Sequence, residues 1–465
     1  MEYQAAGRTS NHRALRPDQI GKRAVVIGAG IAGMAAAGAL ANRFAEVTVL
    51  ERDSLAHAHT PRLGASQGWH SHELLAGGLT ALDTLFPNIG EDFVRAGAVP
   101  VRINRDVRVE LPNSDPMPQR DFGLCGYTMS RPLIEAILRR CLLRHANVTV
   151  QPNIQVLGIE TDANRKRVTG LQWATVRGRP VTTMEADLVV DASGRGHLTE
   201  EVLKTVVRHK VRETVIGSHL CYRTAIMKIP DDAPTDWKLV LTHADAPRSS
   251  RRAMLLPIEG ERWLMSVVGR GDDRPPTEWD ALLDYVRELP TSTIYDAVRK
   301  AKPVGRLARF LFMESVWRHF EDLESFPTGL LTIGDAICRF NPVYGQGMTV
   351  AAKEAVLLHE LLAVRASQPN PLEGLGQEFL SKAKYLIETP WTMAAIPDFA
   401  FPNTRGERPT DLEQSLRFAH ALSRIAARDE DAHRLMTEVW HMLKPRSAYR
   451  DPDLMRRIEA ETAEA

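Results

Sequence analysis

The sequence predicts an α/β protein: a doubly wound parallel sheet, an antiparallel sheet inserted into it, and a helical region towards the C-terminus. Three observations carry this. An apolar strand runs into a glycine turn and a small-residue helix at 23–51. Two more strand-to-glycine junctions stand far downstream, at 187–196 and 330–362. Between and beyond them the pattern turns first to short alternating runs and then to helical spacing. Junctions so scattered suit one domain assembled from discontinuous segments.

The first segment, Ala24-Val-Val-Ile-Gly28-Ala-Gly30-Ile-Ala-Gly33, is a strand opening into GxGxxG. Gly28 permits the tight turn, Gly30 lets the backbone approach a pyrophosphate, and Gly33 allows the helix to pack closely on the strand. The free N–H groups at the helix start favour phosphate. A second strand, Glu46-Val-Thr-Val-Leu-Glu51, ends in an acid placed to accept hydrogen bonds from ribose hydroxyls. Together these read as a dinucleotide site, and by themselves they do not separate FAD from NAD.

Next come four histidines, His57, His59, His70 and His72. No carboxylate or thiolate set at metal spacing accompanies them, so they are read as packing or polar contacts near the cofactor and no metal is expected. From 211 to about 270, short runs broken by Pro, Asp and Gly predict an antiparallel sheet with one covered face. Its Met227, Met254, Trp263 and Met265 suit core packing, or else an apolar substrate pocket. Arg248, Arg251 and Arg252 read as a solvated basic loop. From 371 onward strand signals are scarce, and 412–443 has the spacing of amphipathic helix, followed by a polar tail.

The bulk numbers fit an enzyme. Hydrophobic residues make up 44% and charged residues 25% of 465, which argues against a disordered chain. A net charge of +1 gives no reason to expect nucleic acid as a partner. Four dispersed cysteines form no CxxC pair, so a reducing cytoplasm is expected. Residues 1–22 lack the apolar core of a signal peptide and read as a flexible tail, and no stretch reads as a membrane span.

The third segment, Leu331-Thr-Ile-Gly334-Asp335-Ala-Ile-Cys-Arg-Phe-Asn-Pro342-Val-Tyr-Gly345-Gln-Gly347-Met348, resembles the GD motif of class A flavin monooxygenases of the para-hydroxybenzoate hydroxylase type. Asp187-Leu-Val-Val-Asp191-Ala-Ser-Gly194 resembles that family's DG motif. Thr60-Pro-Arg62-Leu-Gly-Ala-Ser-Gln-Gly-Trp-His70-Ser-His72 resembles a segment of natural-product flavin hydroxylases and polyether-type flavin epoxidases, with Ala65-Ser66 where Val-Pro is commoner. Ser130-Arg131-Pro-Leu-Ile-Glu resembles the helix whose arginine reaches FAD.

This resemblance spans roughly residues 23–400. It implies a Rossmann-like FAD-binding domain of the glutathione reductase type at 23–97, 125–210 and 311–365. A substrate domain is then expected at 98–124 and 211–310, and a helical region at 366–465. It further implies that Asp335 serves the ribityl and phosphate portion of FAD. Pro342, Gly345, Gly347 and Met348 would start a helix facing the flavin ring, and Arg52 and Val156 would be further cofactor contacts.

The chemistry implied is oxygen insertion. Reduced flavin and O2 form a C4a-hydroperoxide whose distal oxygen passes to a small lipophilic substrate such as a polyketide, by hydroxylation or epoxidation. NAD(P)H, or a partner flavin reductase, would supply electrons. No catalytic base is named by the sequence. A geranylgeranyl-type flavin reductase and a non-redox flavoprotein cyclase are alternatives. A halogenase lacks support: there is neither a WxWxIP signature nor a glycine-rich lysine loop, and Trp391-Thr-Met-Ala-Ala-Ile-Pro397 is no match.

Overall fold

The computed structural model describes residues 18–55, 60–176, 178, 180–206 and 210–463. Most of the expected tail, together with His57 and His59, therefore lies outside the described residues. The first strand begins at Gly21, inside the segment read as tail, because its backbone joins the central sheet.

That sheet has five strands, all parallel, in the order Leu330–Thr332, Leu188–Asp191, Gly21–Ile27, Phe44–Leu50 and Val148–Gln151. Its register aligns the carboxyl ends. Ile27 lies beside both Asp191 and Leu50, and Asp191 lies beside Thr332. The three glycine-bearing turns that the sequence scatters over some three hundred residues thus leave one edge of one sheet, where open α/β sheets bind their ligands. The strands are continuous apolar runs because both faces are covered.

The fingerprint helix Ile31–Ala41 is buried nearly all round. Its alanines and glycines are small because it is wedged against the long helix Gly347–Arg365 and the helix Arg131–Leu142. A three-stranded antiparallel sheet, Ile154–Thr161, Val168–Thr175 and Thr182–Glu185, flanks this layer.

The second large sheet has seven strands. From one edge these are Cys338–Arg339, Ala308–Arg318, Glu213–Lys228, Arg262–Arg270, Arg252–Ile258, Leu239–Thr242 and Val107–Glu110. All pairs are antiparallel except the last, which is parallel. Strand Ala308–Arg318 runs across the boundary drawn at 310, so the two layers share a continuous element.

Strand alternation gives this sheet two unlike faces. Ala225, Met227, Ala253, Leu255, Trp263, Met265 and Val267 are buried against the helices Trp279–Arg287 and Thr293–Val298. The opposite face looks towards the parallel sheet. Among the C-terminal helices, Leu375–Phe399 packs on Gly347–Arg365, and Leu412–Arg428 and Glu430–Trp440 form a smaller core. The expected polar tail is instead the helix Pro452–Ala463, held by buried Leu454 and Ile458. No helix of the described residues is long and apolar enough to cross a membrane.

Candidate active site

A cavity of about 560 Å³ runs from the carboxyl edge of the parallel sheet to the inner face of the seven-stranded sheet. That volume lies within the range of small-molecule sites.

At the carboxyl edge of the parallel sheet the wall combines glycine turns with the side chains of Glu51, Arg62, Arg131 and Asp335. Gly28 sits at φ +103°, and a side chain there would meet the Ala192 carbonyl oxygen at 2.7 Å. At Gly33 an added Cβ would lie 1.9 Å from the Gly28 carbonyl oxygen, so helix and strand touch through this residue. Gly30 differs. An added Cβ would find nothing nearer than Arg62 Nη2 at 3.9 Å, so its side of the turn is open to the cleft. That is a cradle for a phosphate beside a helix start.

Glu51 is buried, and the chain already engages it. Its Oε2 accepts from the Ala29 N–H at 2.8 Å and from Arg62 at 2.7 Å, while Oε1 accepts from the Asp53 N–H at 2.9 Å. A carboxylate has about four lone-pair sites, so one stays available for a ribose hydroxyl. Arg62 also donates to Glu135 at 2.8 Å, and Arg131 reaches the same carboxylate at 2.9 Å. Burial alone would raise the Glu135 carboxyl, but Arg131 and Arg62 hold it below its ordinary value. Glu135 was not singled out by the sequence. Its signal was its position four residues after Arg131, one helical turn away.

Asp335 follows the strand Leu330–Thr332, with its side chain open to the cleft. The surrounding protein pushes its pKa up, against Arg131, Arg339 and Arg318. Gly334 before it has φ +69°, and its N–H donates to Glu354 at 2.7 Å, a carboxyl that burial pushes up to about 8.

The loop that starts the helix Gly347–Arg365 is fixed from the C-terminal region. Asp398, 1% exposed in the helix Leu375–Phe399, accepts from Asn341 at 2.9 Å, from the Tyr344 hydroxyl at 3.0 Å and from Arg270. Gly345, at φ +69°, has no atom within 4 Å of an added Cβ and opens to the cavity. Asp398 was missed by sequence reasoning, although a lone acid in the apolar run Ala394-Ala-Ile-Pro-Asp-Phe-Ala was a visible irregularity.

Thirteen of the expected site residues line this one cavity: Gly28, Gly30, Glu51, Arg52, Arg62, Arg131, Val156, Gly194, Asp335, Pro342, Gly345, Gly347 and Met348. Gly33 and Asp191 do not. Asp191 is fully buried, and its carboxylate accepts from the Ser193 N–H at 3.0 Å and from the Thr199 hydroxyl at 2.8 Å. It shapes the turn that presents Ser193 and Gly194, rather than reaching the cleft itself. The Ser193 hydroxyl lines the cavity with no partner.

The sheet end of the cavity is built of side chains. Tyr222, Leu241, Met254, Val268 and Phe310 supply an apolar wall. His70 is buried against Tyr222 and Phe310, with Nδ1 2.6 Å from the Thr224 hydroxyl, and the Ser71 N–H donates to Ser266 at 2.9 Å. Burial lowers the pKa of His70 to about 4 and that of His72 to about 3, so both are neutral; His70 clips the loop to the sheet, while His72 Nδ1 lies 2.9 Å from the His70 carbonyl oxygen within the loop. Among the described residues no group suited to a metal ion is found.

Of the four apolar candidates only Met254 lines the cavity. Trp263, Met227 and Met265 belong to the opposite face, where Trp263 stacks on Trp237 at 6.0 Å between ring centres. The basic run also divides. Arg248 pairs with Asp245, and Arg251 with Asp273 and Glu288, but Arg252 is not in a solvated loop. It opens the strand Arg252–Ile258 and points into the cavity, because it alternates in phase with Met254.

Glu73 also lines the cavity. Burial pushes its carboxyl up to about 7. It follows the histidine pair directly and stands in no distinguishing sequence pattern.

Comparison with known proteins agrees with this architecture. The family model described as NAD(P)-binding Rossmann-like domain matches residues 26–86. The chain is 33% identical to Protein Rv3254 of Mycobacterium tuberculosis over 393 residues, 83% of this chain and 81% of that protein. It is 25% identical to the kynurenine 3-monooxygenase of Salinispora tropica over 76% of this chain and 75% of that protein. Among solved structures, the flavin-dependent brominase Bmp2 aligns with a TM-score of 0.60 at 16% identity, covering 85% of this chain and 92% of that one.

Proposed function

The chain belongs to the family of the mycobacterial Protein Rv3254 and has the α/β architecture of class A flavoenzymes, and from that premise we propose that it is an FAD-dependent monooxygenase acting on a lipophilic small molecule. One observation carries the reading: a single cavity joins the phosphate cradle at Gly30 to an apolar wall at Met254 and Phe310, with the start of the helix Gly347–Arg365 between them.

Gly28, Gly30 and the N–H groups opening the helix Ile31–Ala41 would hold the pyrophosphate, Glu51 a ribose hydroxyl, and Asp335 the ribityl side. When bound and reduced, FAD supplies the electrons that activate dioxygen. The chain's own part is placement, dryness and charge. The N–H groups opening the helix Gly347–Arg365 offer positive dipole to negative charge developing beside the loop, and Asp398 keeps that loop from shifting. The apolar sheet wall keeps water from the reacting centre. Glu73, with a carboxyl at about 7, can accept or return a proton within the cavity near neutral pH.

Oxygen insertion is favoured over halogenation because no lysine lines the cavity among the described residues. The decisive measurement is dioxygen uptake by the FAD-loaded protein with NAD(P)H, or with a flavin reductase, against a panel of lipophilic phenols and alkenes. One O2 consumed per oxygenated product is expected. Product formed without O2 would make the chain a reductase, product formed without any reductant a cyclase, and protein that does not take up FAD would remove the reading altogether.

A further inference from the structure

The sheet end of the cavity contains a positive charge that nothing among the described residues neutralises. Arg252 opens its strand opposite Val268, one residue out of phase with the packed face, and stands half-buried on the cavity wall. It has no hydrogen bond and no ion pair among the described residues, and its nearest aromatic partner is the Tyr344 ring, at 5.7 Å. The closest carboxylate influence is Asp398, but that group is already paired with Arg270 and accepts from Asn341 and Tyr344. Arg252, Arg270 and Asp398 therefore sum to one net positive charge at the cavity wall.

A second donor is also idle. Tyr222, on the same face of the sheet, lines the same cavity, and its hydroxyl is buried without a partner. Withdrawing a guanidinium even partly from water without a partner costs stability, and an opposite charge bound in the cavity would offset that cost. A planar guanidinium with its fork free is suited to a carboxylate, which it can grip through two parallel N–H···O bonds. Met254 and Phe310 alongside it would cover an apolar body.

We propose that Arg252, assisted by the Tyr222 hydroxyl, anchors a carboxylate of the substrate, so that the molecule turned over is an apolar acid rather than a neutral lipophile. The inference rests on the reading of the cavity as a substrate site and narrows its substrate class. Arg252 fixes which end of the acid points away from the reacting centre, and the apolar wall fixes the rest. This makes it a residue of specificity, with no bond made or broken at it.

The test is a calorimetric titration of the full chain, FAD-loaded, with a series of probes of increasing apolar size: benzoate, cinnamate, octanoate and decanoate, each beside its methyl ester. The expected result is that the best acid binds about tenfold or more tighter than its ester, the difference a charge-assisted hydrogen bond makes. Arg252→Gln should remove that preference while leaving ester binding within about threefold, Arg252→Lys should restore part of it, and Tyr222→Phe should weaken acid binding by a smaller factor. Acids bound no better than esters by the unaltered chain, or no acid bound at millimolar concentration, overturns the proposal. So does an acid preference that survives Arg252→Gln in a variant with unchanged thermal unfolding. Should that variant not fold, the acid-to-ester comparison on the unaltered chain decides alone. If the chain takes up no FAD, the same titration on the FAD-free protein judges the anchor, while the monooxygenase reading fails separately.

Discussion

Around Gly28, Gly30 and Gly345 the cleft wall is shaped by glycine turns, whereas from Tyr222 to Phe310 it is made of side chains standing on alternate positions of a sheet. The first region binds by what its residues lack. An added Cβ is forbidden at Gly33 and strained at Gly28, while Gly30 leaves open space. The second binds by what its residues carry, and its character changes with each substitution. A cofactor site shared by many enzymes can be of the first kind, while a site that chooses one substrate needs the second.

The sharpest way to break this contrast is at the glycines. Gly33→Val places atoms within 1.9 Å of a backbone oxygen, so the strand and helix must separate, at a cost of about 3 kcal/mol or more. The protein is expected to be poorly folded and colourless on FAD addition. Gly30→Ala meets nothing in the chain. It should unfold at the temperature of the unaltered protein yet bind FAD more weakly, as measured by equilibrium dialysis. Equal behaviour of the two variants would mean that the turn is structural throughout.

Next in size is the point where the two regions join. Asp398→Ala leaves Arg270 buried without its counter-charge and frees Asn341 and Tyr344 together, a loss of about 3–5 kcal/mol. Urea unfolding should register it. Flavin fluorescence should rise as the Pro342–Gly347 loop loosens, and a variant that unfolds earlier with flavin environment unchanged would show that Asp398 serves the helix alone.

Two methionines on adjacent strands test the sheet's two faces. Met265→Ala opens a hole in the core against the helices and should cost about 2–5 kcal/mol. Met254→Ala widens a cavity that is already there and should cost less than about 1 kcal/mol. Its effect should appear instead in which lipophilic probes bind. Matching losses of stability would mean that Met254 is core.

The same contrast explains what could be read from the sequence. Backbone sites announce themselves through glycine spacing, since few residues other than Gly adopt φ +103° at Gly28 or tolerate the contact at Gly33. Gly28, Gly30 and Gly33 are legible in this way, whereas Arg62 and Asp335 are expected only from the resemblance of their segments to a flavoenzyme family. Side-chain walls do not announce themselves. Arg252 follows two arginines that do pair at the surface, and only the strand register separates it from them. Trp263 and Met254 look alike as apolar residues in a strand, and one step of alternation sends them to opposite faces. Asp191 lies off the cleft for a related reason. A motif names the turn, but whether the acid faces inward or into the cleft is decided by Thr199, eight residues on.

The smallest expected effect concerns Glu73, which lies beside the histidine clips and belongs to neither region by motif. Its carboxyl is raised from an ordinary 4.5 to about 7 by burial, so between those values the folded chain holds a proton that the unfolded chain has released. Stability owed to this group is therefore greatest at acid pH and falls as the pH climbs from 4.5 through about 7, then levels off. Glu73→Gln removes that fall. At pH 5 the two proteins should unfold nearly alike, and at pH 8 the glutamine variant should be the more stable by about 1–2 kcal/mol, with the cavity's solvent trimming the full shift. His70 and His72 work the other way, since neutral burial there costs stability only below about pH 6.5, so they do not mimic the effect at pH 8. A glutamine variant that loses oxygenation while gaining stability at pH 8 would make Glu73 a working acid or base that the fold keeps at a cost. If oxygenation and its pH profile are unchanged, Glu73 is part of the wall and the proton must travel by another group.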